Sequence, residues 1–320
     1  MRQLNLINAF FNMTVKNTVP ETPLIRPPSE WRSILIRITR GCKWNRCRFC
    51  GIYPHLGEPN FTSRSVADVK HDIDLLKQLR PNAETAFFGD ADPLMVGIDA
   101  FIEITEYVRK VFALRRLTCY ARVSTLWKLK KESIKVLARA GLDRVHIGLE
   151  SGDAKTLRFH RKGQSPEMVR ETTDWLKEAG IEISFYVLLG LGGRDHWQRH
   201  IHQTAQLINE TEPDFVRLRR LWLYQNENPY SAPGSPLLKE IRIGSFTPQI
   251  PEGCVLELRM LIEELNNLST FVTCDHKNNY VQVSGFLHEN RDDMLATVDS
   301  FLALPKSMRD AHYLAVGSQI

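Results

Sequence analysis

The sequence predicts an α/β fold built on parallel strands. Three observations carry that expectation. Six apolar segments alternate with helical segments over Ser33 to Tyr224. The linkers between them are short, and the strand segments read as nearly continuous apolar runs, the pattern of strands covered on both faces and joined by helical crossovers. Six such units suit either an open doubly wound sheet or a partial barrel. In both, chemistry collects at the C-terminal ends of the strands.

The elements follow in order. Residues 1–32 read as an irregular lead-in, and "SILIRIT", Ser33–Thr39, as the first buried strand. The helix of "SVADVKHDIDLLKQLR" keeps Val66, Val69, Ile73, Leu76 and Leu79 on one face. "ETAFFG" and "IDAFIEITEYVRKVF" form the next strand and helix, "RLTCYARV" and "KLKKESIKVLARAG" the third pair, closed by Gly141 as a C-cap. "RVHIGLE" precedes a helix with Ser165 as cap, Pro166 at its first position and Gly180 at its end. "IEISFYVLLGLGG", "DHWQRHIHQTAQLINET" and the sixth strand "DFVRLRRLWLY" complete the core. A turn rich in Pro and Gly, "NENPYSAPGSPLL", follows. The remainder holds helical stretches Val255–Leu268 and Asn290–Leu304 around the extended "TFVTCDHKNNYVQVSG". The expected organisation is a lead-in over 1–32, a core over 33–238 and an extension over 239–320 that covers the active-site side.

The composition is that of a globular protein. Of 320 residues, 43% are hydrophobic and 25% charged, with a formal net charge of +5. The basic residues are scattered among acidic ones, so nucleic acid is not indicated, and an anionic small substrate fits equally well. The N-terminal stretch is interrupted by Asn5, Asn8 and Asn12 and has no signal-peptide or membrane-spanning run. A cytoplasmic location is expected. There, clustered cysteines serve as metal ligands or redox groups rather than disulfides.

Half of the six cysteines, Cys42, Cys47 and Cys50, lie in "TRGCKWNRCRFCGIY". With His55 they could close a tetrahedral Cys3His zinc site. Three thiolates without a near fourth could instead hold a four-iron cluster with one iron open to chemistry. Cys119, Cys254 and Cys274 are far apart and read as core residues or isolated thiols. Three classes therefore stand: a cluster enzyme, a zinc-stabilised nucleic-acid-binding protein, and an iron–sulfur electron-transfer or scaffold protein.

"CKWNRCRFC" at the end of a first strand resembles the signature of the radical S-adenosylmethionine (SAM) superfamily. Phe49 matches the aromatic residue before the last cysteine, whereas four residues rather than three separate Cys42 from Cys47. "FFGDADP" is similar to the turn that holds the SAM amino group, and "HIGLESGD" to the turn that reads SAM. "LLGLGG" resembles the glycine-rich turn beneath the adenine, and "PGSPL" a turn after the sixth strand. The resemblance covers about Ser33 to Leu238. It implies a partial (β/α)6 TIM-like barrel of parallel strands with a C-terminal α/β extension. It implies a [4Fe-4S] cluster on Cys42, Cys47 and Cys50 and SAM as cofactors, with Phe49, Gly89, Asp90, Ser124, Glu150, Ser151, Arg161, Lys162, Gly190 and Gly192 around them; Asp92 offers another acceptor. It further implies reductive cleavage of SAM to a 5′-deoxyadenosyl radical that takes hydrogen from the substrate, and an electron donor such as flavodoxin or ferredoxin. The lack of a second cysteine cluster argues against methylthiotransferases.

Two more expectations concern the substrate. Alternation along "VRLRRLWLY" sends Arg217 and Arg219 to one side of the strand and Arg220 to the other, and at least one should enter the barrel, favouring an anionic or polar substrate. "TFVT" should add a strand beside the sixth, bringing Asp275, His276, Asn278 and Asn279 over the pocket. His276 with Asp275 could move a proton there.

Overall fold

The computed structural model describes residues 19–22, 26–225, 234–266 and 268–317. Most of the lead-in and the first part of the Pro/Gly turn, residues 226–233, lie outside the described residues. The chain opens with a 3-10 turn, Pro28–Glu30. It continues through β1 (Ile34–Ile36), β2 (Thr39–Arg40), α1 (Ile52–His55), β3 (Thr62–Ser63), α2 (Val66–Leu79), β4 (Thr85–Phe88), α3 (Ile98–Val111) and β5 (Arg116–Ala121). Next come α4 (Val123–Ala140), β6 (Arg144–Glu150), α5 (Ala154–Phe159), α6 (Pro166–Glu178), β7 (Glu182–Leu189), α7 (Gly193–Thr211) and β8 (Phe215–Arg220). The extension supplies α8 (Leu237–Arg242), α9 (Pro251–Glu264), β9 (Phe271–Thr273), β10 (Ser284–Phe286), α10 (Leu287–Leu302) and α11 (Lys306–Gly317).

One sheet runs in the order β1-β4-β5-β6-β7-β8-β9-β10. A doubly wound sheet reverses its order once. Here the order follows the chain from end to end, every pairing from β1 to β9 is parallel, and only β10 is antiparallel. That winding is the partial barrel.

The strand faces agree. Ile36, Phe88, Cys119, Val145, Ile147, Phe185, Val187, Val216 and Leu218 join one apolar core with helix residues such as Ile73, Ile104, Leu137, Leu176 and Ile208. Because side chains alternate, the residues between them face inward. Those are Phe87, Thr118, Tyr120, His146, Ser184, Tyr186, Arg217 and Arg219, a far more polar set. The helix boundaries follow the capping chemistry. Ser65 and Ser165 accept from Asp68 and Met168 N–H groups, and Gly141 ends α4 at φ 108°.

The structure corrects several boundaries. The first strand leaves the sheet after Ile36, because Thr39–Arg40 pair antiparallel with Thr62–Ser63 and so clamp the base of the cysteine loop. The sixth strand stops at Arg220 rather than Tyr224. Helix α4 begins five residues before "KLKK" and is broken at Lys130, where φ is 66° and ψ 168°. A short helix, α5, is nucleated by Asp153, whose carboxylate accepts from the N–H groups of Lys155 and Thr156.

As expected, "FVT" joins the sheet edge beside β8. The extension lengthens the barrel wall with β9 and β10. Helix α9 joins the outer helical layer, where Asn209 of α7 donates to the Glu264 carbonyl at 2.9 Å.

Glu30 closes the N-terminal end of the barrel. It is fully buried and meets Ser33 Oγ at 2.6 Å, His146 Nε2 at 3.3 Å and Arg116 at 3.3 Å. Complete burial lowers the His146 pKa to about 4, and burial lowers that of His200, on α7, to about 4. Both stay neutral at pH 7, while in the unfolded chain they take up protons near pH 6.5. The stability that each contributes by staying neutral is present above about pH 6.5 and is lost as pH falls toward 4. In NMR titrations of the folded apoprotein, the imidazole resonances of His146 and His200 should not move until the pH is well below about 6.5, the value of a free histidine. A midpoint near that value for either ring would refute this.

Candidate functional site

The cysteine loop is pinned at many points. Gly41 sits at φ 71°, and a Cβ there would stand 2.4 Å from the Asn60 carbonyl oxygen, so only glycine fits. Asn45, at φ 40°, turns the chain between Cys42 and Cys47. Asparagine tolerates this left-handed geometry. Its N–H approaches Cys42 Sγ at 3.4 Å and its amide donates to Pro59 O at 3.0 Å, so the loop absorbs its fourth intervening residue in a tight turn. Trp44 Nε1 donates to Arg161 O at 2.7 Å, Arg48 N donates to His160 O at 2.9 Å, and Leu237 N donates to Arg48 O at 2.6 Å.

The three thiols are free and half-buried, and the Cys50 N–H donates to the Cys47 carbonyl at 3.2 Å. Burial raises the pKa of Cys47, opposed by the positive charges of Lys162 and Arg122. Burial pushes Cys50 up to about 12, with added repulsion from charge on Cys47 and Cys42. The thiols therefore feel one another and lie beside two cations. Among the described residues, no three His, Cys, Asp or Glu side chains converge as ligands of a single metal ion. His55 instead packs on Tyr224 with ring centroids 4.5 Å apart. That disfavours a Cys3His zinc site, whose ligands must all touch one ion. A four-iron cluster takes one thiolate per iron, and three free cysteines of one loop beside the cations Lys162 and Arg122 are a donor set of that chemistry.

The turn after β4 lies next to this loop. Gly89 N donates to Ile36 O at 3.1 Å, continuing the β1–β4 pairing. Asp90, at φ 67°, is buried and accepts from Arg37 Nε at 2.9 Å. Burial raises its pKa to about 6 against the pull of Arg37. Asp92 is buried too, accepts from Thr125 Oγ1, and is raised by burial to about 7. Asp90 Oδ1 and Asp92 Oδ1 are both buried without a hydrogen-bond partner. Two orphaned carboxylate oxygens in one turn suit an ammonium donor.

From the other side come Glu150 and Lys162, paired at 2.7 Å. A Cβ on Gly148 would stand 2.3 Å from Glu150 Oε1 and 2.7 Å from Lys162 Nζ, so the absence of a side chain makes room for the pair. Lys162 Nζ lies 5.9 Å from the centre of the Phe49 ring, which meets His160 edge-on at 5.7 Å. Cys47, Cys50, Phe49, Glu150 and Lys162 are thus brought together.

Other expected residues are placed elsewhere. Arg161 has an exposed side chain and contributes its carbonyl. Ser151 is buried against α7, where its Oγ meets His200 Nδ1 at 2.7 Å. Ser124 lines a cavity of about 450 Å³ with Trp44, Met95 and Arg122, beside the cysteine loop. Gly190 N donates to the buried Glu257 carboxylate of α9 at 2.5 Å, and Gly192 lets the turn press on His196 and His200. His276 is half-buried with Nδ1 2.6 Å from Asn278 Oδ1, and Asp275 is exposed. Burial, and then the charge of Arg219, lower the His276 pKa. Asn279 is taken up by the β8 backbone, accepting from Arg220 N and donating to Leu218 O, both at 2.9 Å.

Sequence reasoning missed Arg37, Glu58, Glu21, Glu30 and His146. Arg37 is buried at the end of β1 and pairs with Asp90, Glu58 and Glu21. The signal was available in β6 and β7: at every second position Arg144, His146, Glu182, Ser184 and Tyr186 are polar, so these runs are not continuously apolar.

Fold and site define a barrel enzyme with a three-thiol loop at the C-terminal ends of its strands. The sequence pattern of the radical SAM superfamily matches residues 36–206, more than half of the chain. The chain belongs to that superfamily, an enzyme family whose cofactors are a [4Fe-4S] cluster and SAM. Comparison with curated proteins finds no match. Among solved structures it is similar to the radical SAM methyltransferase TsrM from Kitasatospora setae, at 16% identity and TM-score 0.48 over 64% of this chain and 39% of that one. Methylornithine synthase (PylB) is 17% identical, TM-score 0.47, over 89% and 85%. Coproporphyrinogen III oxidase (HemN) from Escherichia coli is 15% identical, TM-score 0.46, over 74% and 55%. The chain spans about two fifths of the length of TsrM. Among the described residues no helix is long and apolar enough to cross a membrane.

Replacing Arg37 with Leu should strand the buried charge of Asp90. The expected loss is about 3–5 kcal/mol of unfolding free energy, as for breaking other buried ion pairs. Urea unfolding of the apoprotein measures it, and an unchanged midpoint would count against a structural role.

Proposed function

We propose that this enzyme cleaves SAM reductively, with a [4Fe-4S] cluster on Cys42, Cys47 and Cys50, and acts on an anionic or polar substrate at the mouth of the barrel. One observation carries the reading. Three thiols share a pinned loop beside two cations, Lys162 and Arg122, and the adjacent turn holds two buried carboxylate oxygens without hydrogen-bond partners.

When bound, the cluster and SAM supply an electron and a carbon-centred radical able to remove hydrogen from an unactivated position. The chain's own residues do the rest. Lys162 and Arg122 offset the negative charge of three thiolates. Asp90 and Asp92 offer acceptors to the methionyl ammonium, and the Glu150–Lys162 pair offers an acceptor and a donor to hydroxyl or carboxylate groups. Phe49 and His160 shield one side from water. His276, neutral at pH 7, stands near Arg219 as a candidate for proton movement, with Asp275 beside it in sequence. The exposed Lys43 and Arg46 of the loop suit an acidic one-electron donor such as flavodoxin or ferredoxin.

Anaerobic reconstitution with iron and sulfide should give a brown protein that makes 5′-deoxyadenosine from SAM and dithionite. Cys47→Ala should lose both colour and product. A colourless reconstituted wild-type protein would sink the reading, and a brown one without product would leave an electron-transfer or scaffold role.

A further inference from the structure

We propose that Arg217, Arg219 and Tyr186 form an oxyanion subsite inside the barrel that holds a carboxylate or phosphate of the substrate. This rests on the radical SAM reading and adds the substrate class to it.

The argument starts on β8. Val216 and Leu218 belong to the apolar core against the helices, so Arg217 and Arg219 face the interior. Both are half-buried, so each guanidinium loses part of its hydration, which costs free energy unless its charge is met. Arg37, Arg116, Arg144 and Lys162 face the same interior, and each has a carboxylate partner: Asp90, Glu30, Glu182 and Glu150. Among the described residues, no carboxylate lies within ion-pair distance of Arg217 or Arg219. Arg217 Nε donates to Ser184 Oγ at 3.2 Å, and the Arg219 guanidinium lies 5.5 Å from the centre of the Tyr186 ring.

The neighbours are donors in want of an acceptor. Strand register sets Arg217 between Tyr186 and Thr273, and Arg219 beside Leu188. The hydroxyls of Tyr186 and Thr273 are buried and have no hydrogen-bond partner. Two guanidinium forks and unpaired hydroxyls together make a chemistry that an oxyanion satisfies and a neutral apolar group does not. Phe87, Tyr120, His146 and Tyr186 form a ring layer with centroids 4.9–6.4 Å apart. Tyr186 belongs to this layer and Ser184 is paired with His146 of it, so the anion would sit against its edge beside β8. The carboxylate charges that reach Arg217 are those of Asp275, exposed just beyond β9, and Glu30, which already pairs with His146 and Arg116. Neither forms an ion pair with Arg217, which suits a small acidic substrate.

The test uses reconstituted, SAM-loaded protein and two probes, inorganic phosphate and succinate, titrated calorimetrically at low salt. At least one should bind, and which one distinguishes a phosphate from a carboxylate substrate. Arg217→Gln and Arg219→Gln should each weaken binding about 10- to 100-fold, the usual range for losing a charged hydrogen bond. If either variant fails to fold, phenylglyoxal labelling of wild-type protein decides. Modification of Arg217 and Arg219, read by peptide mass spectrometry, should be slowed by the anion. Three results would overturn the proposal: no binding of either probe, equal binding by both variants, or competition between anion and SAM, which would assign the arginines to the cofactor. Failure of wild-type protein to form 5′-deoxyadenosine would instead sink the radical reading, while the titration still decides the subsite.

Discussion

The site depends on one buried guanidinium. Arg37 leaves β1 at the point where the chain quits the sheet, and its three nitrogens serve three segments: Glu21 of the lead-in, Glu58 of the cysteine loop and Asp90 of the turn after β4. Glu21 in turn meets Arg40 and Arg64, and Arg64 meets Asp72 of α2. A planar donor of fixed geometry is suited to this, since it dictates where each carboxylate must lie. The cost of burying it is offset only while every partner is present, so loop, turn and lead-in are held as one unit. The same pairing fixes one oxygen of Asp90 and leaves the other, Oδ1, unpartnered. The interaction that secures the fold also orients the acceptor that the site needs.

The interior of the barrel follows a second constraint. A wall whose outer face is covered by helices can spend its apolar residues there, and its inner face is free to be polar. Polar groups sealed inside must find partners. At the N-terminal end Glu30 answers His146, Ser33 and Arg116, although His146 Nδ1 and Arg116 Nε stay unpartnered. Further up β8, among the described residues, Arg217 makes its hydrogen bond to a neutral hydroxyl and not to a carboxylate. Charge at the base is thus matched within the fold, while charge on β8 is not.

The extension contributes by continuing the wall. Strand β9 pairs with β8, and Asn279 then caps β8 by bonding both Arg220 N and Leu218 O. Glu257 of α9 reaches the Gly190 N–H from the outer layer. Hence the glycine-rich turn after β7 is fixed by a carboxylate far away in sequence.

By itself the sequence determined the alternation of strands and helices, the caps at Ser65, Ser165 and Gly141, the loop carrying the three thiols, and the family. All of these are local: they depend on period, on capping chemistry and on residues a few positions apart. It also indicated that "FVT" would sit beside the sixth strand. Periodicity left a doubly wound sheet and a barrel open; the resemblance implied the barrel, and the strand order bears it out, because that order is a matter of which edges meet. Only the tertiary structure separated Arg161 from Lys162, sending one side chain to solvent and the other to Glu150, and it turned Ser151 toward His200. It also joined Arg37 to Asp90, 53 positions apart, and Glu30 to His146, 116 positions apart. No spacing rule encodes such pairs: a buried charge takes its partner from whatever segment the fold brings within reach, and that is settled only when the chain has closed around it.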